Sequence, residues 1–126
     1  MAELVAIAIG GALGAVARFS LGNVINGLVG TQFPYGILLV NVLGSLLIGV
    51  FFELLVEDRL FPPVYRSVII VGFLGAFTTF STFSMQVVGL LETGRFGTAA
   101  IYTIASVALS VVAVILGIFV TRQLTS

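Results

Sequence analysis

Apolar residues run almost unbroken through four stretches of the chain, and short polar clusters separate them. The stretches cover about Leu4 to Val29, Gly36 to Val56, Val64 to Leu91 and Thr98 to Val120. The separators are Thr31, Gln32 and Pro34, then Glu57-Asp58-Arg59 with Pro62-Pro63, then Glu92-Thr93-Gly94-Arg95. Each stretch is near or above the roughly 20 residues that a helix needs to cross a hydrocarbon core. Backbone in lipid satisfies its hydrogen bonds internally, which leaves helices or a closed barrel. These runs are continuous and lack the period-two alternation of barrel strands. The pattern predicts an all-α integral membrane protein with four transmembrane helices at about 4–29, 36–56, 64–91 and 98–120. They form one domain over residues 1–126.

The third run breaks its own pattern. Gly72-Phe73-Leu74-Gly75-Ala76-Phe77-Thr78-Thr79-Phe80-Ser81-Thr82-Phe83-Ser84 puts five hydroxyls and four phenylalanines into thirteen residues. One hydroxyl in a membrane helix is readily absorbed by a bond back to the i−4 carbonyl. Five within the seven positions 78–84 exceed that explanation. Gly72 and Gly75 weaken the helix beside Thr78 and Thr79, whose side chains offer the backbone other bonds. The reading is a transmembrane helix broken at its centre, with freed carbonyls that require water, a hydroxyl or a cation. Beyond the break, Phe80 and Phe83 share a face at i, i+3.

The other runs carry polar stripes at helical spacing. Gly10 and Gly14 in the first form a small-xxx-small packing seam. Arg18, well inside that run, points to a water-filled vestibule, with snorkelling to the interface as the other reading. In the second run Asn41, Gly44, Ser45, Ile48 and Gly49 fall on one stripe. Asn41 needs partners in lipid, as glue between helices or as lining of a polar path. In the fourth, Ala99, Thr103, Ser106, Ser110, Ala113 and Gly117 share a face with Tyr102 beside it. Ala113 and Gly117 read as a packing seam; Tyr102, Ser106 and Ser110 fit either a seam or a hydroxyl ladder.

Composition narrows the chemistry. The chain is 60% hydrophobic and 8% charged, against roughly a quarter charged in soluble domains. It has no Cys, His or Lys, so thiolate chemistry, a histidine base and a lysine nucleophile are all excluded. The five acids, Glu3, Glu53, Glu57, Asp58 and Glu92, lie at the ends of runs or in loops. A serine nucleophile has no base here, and the chain is expected not to be an enzyme. Glu3 stands where a basic signal-peptide region belongs, so the first run is expected to be a membrane helix. Arg59, Arg66 and Arg122 fall on one side and Arg95 and Arg18 toward the other, a slight bias that fits insertion both ways as well as a single orientation set by a few arginines. No basic patch suggests nucleic acid.

A path lined by neutral donors and ring edges suits a small anion. Hydroxyls and a carboxamide donate hydrogen bonds, and a phenyl ring is positive at its edge. Conduction needs binding strong enough to replace hydration and weak enough to release. A proton-coupled exporter of organic cations, in the manner of the small multidrug transporters, is the alternative. It calls for a carboxylate within the membrane, and none is central here.

Three motifs carry a resemblance: Gly10-Gly11-x-x-Gly14-Ala15-x-x-Arg18-Phe19, Asn41-Val42-x-Gly44-Ser45 and the whole of Gly72–Ser84. Together they resemble the CrcB/Fluc family of fluoride channels, over nearly the full length. The resemblance implies an antiparallel, dual-topology homodimer in the bacterial inner membrane, with two fluoride pores. It implies that Phe80 and Phe83 line the pore, with Asn41, and with Ser81 and Thr82 beside the rings. Tyr102, Ser106 and Ser110 match a polar track, and Arg18 a vestibule arginine. Carbonyls of Gly75 and Thr78 match the ligands of a structural sodium ion at the dimer interface. Gln86 falls at a pore-end position. The implied function is passive export of fluoride trapped in the cytoplasm after entering as hydrogen fluoride.

Overall fold

A computed structural model of the protein describes residues 1–57 and 61–126. Asp58 and Arg59, which the sequence reading places in the loop after the second run, lie outside the described residues. Helix α1 covers Ala2–Val29, α2 Tyr35–Phe52, α3 Pro63–Arg66, α4 Gly75–Phe77, α5 Phe80–Glu92 and α6 Phe96–Thr125. Two π-helical stretches extend the set: Glu53–Glu57 continues α2, and Ser67–Leu74 joins α3 to α4. Four spans are long and apolar enough to cross a membrane: Ala2–Val29, Tyr35–Glu57, Pro63–Glu92 and Phe96–Thr125. The fourth exceeds the expected 98–120 at both ends, and at its C-terminal end Thr121 is buried.

Glycine contacts hold the spans together. A Cβ on Gly10 would collide with the Val68 carbonyl oxygen, and one on Gly14 with the carbonyl of Phe73. The first and third spans therefore meet backbone to backbone, the packing that small residues permit in membranes. Gly49 and Gly117 do the same for α2 and α6: a Cβ on either would strike the other helix's backbone. Gly72 belongs to the first of these seams. It lies within a helical stretch, and a Cβ on it would come 2.8 Å from the Ile7 carbonyl oxygen.

The third span departs from helical geometry at its middle. Thr78 (φ −85°, ψ 156°) and Thr79 (φ −150°, ψ 122°) are extended. Gly72 and Gly75, read from sequence as the weak points, are both helical. The departure falls on the two β-branched threonines, whose hydroxyls and whose neighbour across the bundle supply the lost hydrogen bonds.

At the end of the molecule with the chain termini, Arg122 makes a two-point contact with the buried Glu53. Its Nε donates to Oε1 at 3.2 Å and its Nη2 to Oε2 at 3.1 Å. The buried Ser67 hydroxyl donates to Glu3 Oε1 at 3.2 Å. Both acids thus serve the packing of helix ends.

Candidate functional site

The extended pair Thr78–Thr79 is rebuilt by three side chains. Thr79 N–H donates to Asn41 Oδ1 at 2.8 Å, and Asn41 Nδ2 donates to the Thr79 carbonyl at 3.0 Å. One carboxamide thereby satisfies both faces of one residue's backbone, as a strand neighbour does. Thr79 also caps α5: its Oγ1 accepts from Thr82 N–H at 3.2 Å and donates to Thr82 Oγ1 at 3.1 Å. Thr78 Oγ1 donates to the Leu74 carbonyl at 3.1 Å, closing the helix that precedes it. Ser84 bonds back to the Phe80 carbonyl at 2.9 Å. Thr78 and Ser84 thus follow the ordinary i−4 pattern, while Thr79, Ser81 and Thr82 form a local cluster.

The interruption deprives the carbonyls of residues 75–78 of their regular i+4 partners, those of Gly75 and Thr78 among them. The amide that would close on Gly75 O in a continuous helix belongs to Thr79, and it goes to Asn41. The amide that would close on Thr78 O belongs to Thr82, and it goes to Thr79 Oγ1.

Beside this segment lies a cleft of about 320 Å³. Its lining includes Asn41, Ser45, Phe80, Phe83, Ser106 and Ser110, together with Gly75, Thr78 and Thr79. No ionisable residue lines it. Three spans meet here because the stripe Asn41, Gly44, Ser45, Ile48 on α2 faces the same space as Ser106 and Ser110 on α6. Phe80 is 76% exposed and Phe83 only 7%. Their centroids are 5.5 Å apart with the ring planes tilted by 49°, so they share a face without stacking flat. The Ser106 hydroxyl is buried and has no hydrogen-bond partner among the described residues. An unpartnered buried hydroxyl costs about 1–3 kcal/mol.

The remaining expected residues fall outside the lining. Tyr102 is fully buried behind Phe83, ring centroids 5.1 Å apart, and its hydroxyl donates to Gln86 Oε1. Ser81 and Thr82 are exposed on the first turn of α5. Arg18 is half-buried on α1, away from the cleft. The sequence reading has Thr79 offering the backbone other bonds but gives no partner to Asn41. The Thr79-x-x-Thr82 spacing was a usable signal for a helix cap, but the Asn41 pairing spans 38 positions and leaves no local signature.

A family model described as CrcB-like protein, Camphor Resistance (CrcB), matches residues 5–118. The chain belongs to this family. Among curated relatives, the fluoride-specific ion channel FluC of Saccharophagus degradans is 48% identical over 119 residues, covering 94% of this chain and 89% of the relative. The protein of the same name from Geobacter metallireducens is 46% identical over 124 residues, covering 98% of this chain and all of the relative. That of Magnetococcus marinus is 43% identical over 116 residues, covering 92% of this chain and 94% of the relative. Family membership therefore extends over all four spans and includes every residue that lines the cleft.

Proposed function

We propose that this protein is a passive, fluoride-selective ion channel and not an enzyme, and that it works in the bacterial inner membrane. The observation that carries the reading is the unpartnered Ser106 hydroxyl in a cleft of neutral donors and phenyl rings. Such a lining offers hydrogen bonds to a small anion and no fixed charge to hold it. The names of the relatives, fluoride-specific ion channels, supply the anion.

In this reading Asn41, Ser106 and Ser110 replace part of the anion's hydration shell. The edges of Phe80 and Phe83 supply weak positive contacts between them. Ser81 and Thr82 serve the anion next to the rings. Tyr102 holds Phe83 in place from behind, and Arg18 draws anions from outside. Two copies pair in antiparallel orientation, each dimer holding two pores. The high exposure of Phe80 and the exposed Gly75 fit surfaces that a second copy covers.

The interruption at Thr78–Thr79 is the central break of the third helix, and the paired breaks hold a sodium ion on the dimer axis. The carbonyls of Gly75 and Thr78, among those released from helical bonding at the interruption, are hard oxygen donors of the kind that such an ion takes. The ion would supply positive charge where two helix interruptions meet.

An exporter of organic cations calls for an acid in its path, and none lines the cleft. The buried acid Glu53 is committed to Arg122 and stands outside the cleft.

The test is the reversal potential of the purified protein in a planar bilayer, under a fluoride gradient with equal chloride on both sides. A selective channel reverses near the fluoride equilibrium potential. Reversal near zero rejects the reading. Ser106→Ala sharpens it: removing an unpartnered hydroxyl is expected to leave thermal stability in detergent unchanged or slightly higher. The same variant is expected to lower fluoride current by about tenfold, the equivalent of one hydrogen bond to an ion at about 1.4 kcal/mol. A stability loss with normal current would assign Ser106 to packing.

A further inference from the structure

Four aromatic rings form an unbroken row from the first loop to the cleft. Phe33, between α1 and α2, meets Tyr102 with centroids 5.5 Å apart and ring planes nearly perpendicular at 84°. Tyr102 meets Phe83 at 5.1 Å, and Phe83 meets Phe80 at 5.5 Å. Phe80 and Phe83 line the cleft, whereas Phe33 and Tyr102 do not. Phe33 is half-buried and packs against the cluster of Leu38, Phe83, Leu90, Ala99 and Tyr102.

Phe83 depends on this row for its position. Helix α5 buries only Phe83 and Leu90 and leaves its other side chains exposed or half-buried. Tyr102 is fully buried behind Phe83, and its hydroxyl donates to Gln86 Oε1. Gln86 and Phe83 both ride on α5, so neither gives Tyr102 a hold independent of that helix. Of the two rings against Tyr102, Phe33 is the one that comes from outside α5.

The backbone around Phe33 suits an anchor. Phe33 precedes Pro34, which biases it toward extended conformations. Its carbonyl accepts from Tyr35 N–H at 2.8 Å. Gly36 N–H donates to Asn26 Oδ1 on α1 at 3.1 Å, and a Cβ on Gly36 would come 2.9 Å from the Gly22 carbonyl oxygen. The loop is thereby tied to α1 on one side and to α2 on the other.

We propose that Phe33 is a positioning residue for the permeation path: through Tyr102 it sets the tilt of the Phe83 ring, and with it the edge that this ring presents to the anion. The proposal rests on the fluoride-channel reading. Phe33 does not line the cleft, so its effect on flux travels through Tyr102 and Phe83.

A double-mutant cycle tests this, with fluoride efflux from liposomes measured for the full chain, Phe33→Leu, Phe83→Ile and the double variant. Phe33→Leu is expected to lower efflux about fivefold in the wild-type background, the size of effect that one aromatic edge contact carries. In the Phe83→Ile background it is expected to lower efflux no further, because no ring remains to be positioned. Phe33→Tyr, which keeps the ring, is expected to retain wild-type efflux. If Phe33→Leu fails to elute as a folded protein, Phe33→Met, an unbranched chain that fills irregular gaps, takes its place in the cycle. The same fold-loss in both backgrounds overturns the proposal, because it marks a general defect of the fold. So does unaltered efflux in Phe33→Leu, or a loss in Phe33→Tyr as large as that in Phe33→Leu. Absence of fluoride efflux in the wild type defeats the channel reading itself and this proposal with it.

Discussion

Asn41→Leu is expected to lower fluoride flux by well over tenfold and to destabilise the protein by about 2 kcal/mol or more. The stability figure follows from leaving both backbone groups of Thr79 unpaired in a buried setting, where each orphaned group costs about 1–3 kcal/mol. Thr79 donates to and accepts from this one carboxamide, so no second side chain takes over. The flux figure follows from position, because Asn41 also lines the cleft. Asn41→Asp is expected to conduct no fluoride and to lose stability as well: its carboxylate keeps the acceptor for Thr79 N–H, but sets an unpaired negative oxygen against the Thr79 carbonyl and in the anion path. Thermal unfolding in detergent and fluoride efflux from liposomes read the two outcomes. Wild-type flux in Asn41→Leu would remove Asn41 from the path.

Phe80→Ile and Phe83→Ile are expected to cut fluoride flux by at least tenfold each, with different effects on stability. Isoleucine is apolar but has no ring and no positive edge. Phe83 is packed against Leu38, Leu90, Ala99 and Tyr102, so its replacement also opens space in a core and is expected to cost about 1–3 kcal/mol. Phe80 is exposed in the protomer, and its replacement is expected to leave protomer stability nearly unchanged. A flux loss in Phe80→Ile with unaltered thermal unfolding assigns the ring to conduction. Normal flux in both variants would reduce the rings to packing.

The four spans were legible because each apolar run exceeds bilayer thickness and each separator holds turn-forming or charged residues. The polar stripes were legible for the same reason: helical spacing alone puts Asn41, Gly44, Ser45 and Ile48 on the face that lines the cleft. The exact residues of the extended segment were not. Glycine lowers the cost of leaving a helix and also lets two helices touch, and sequence does not separate these uses. Gly72 turned out to serve contact with α1, and the backbone departs from the helix at Thr78 and Thr79. What selects those positions is Asn41, far away in sequence, together with the Thr82 amide. The Glu53–Arg122 and Tyr102–Gln86 contacts were hidden for the same reason, since each joins helices whose relative rotation no single run specifies.

Fluoride efflux from liposomes containing only this protein, driven by a potassium potential and followed with a fluoride electrode, bears most directly on the proposed activity. Chloride efflux from matched liposomes is the control. The expected result is rapid fluoride release that follows the imposed potential, with chloride retained. No fluoride release, or chloride release at an equal rate, would contradict it.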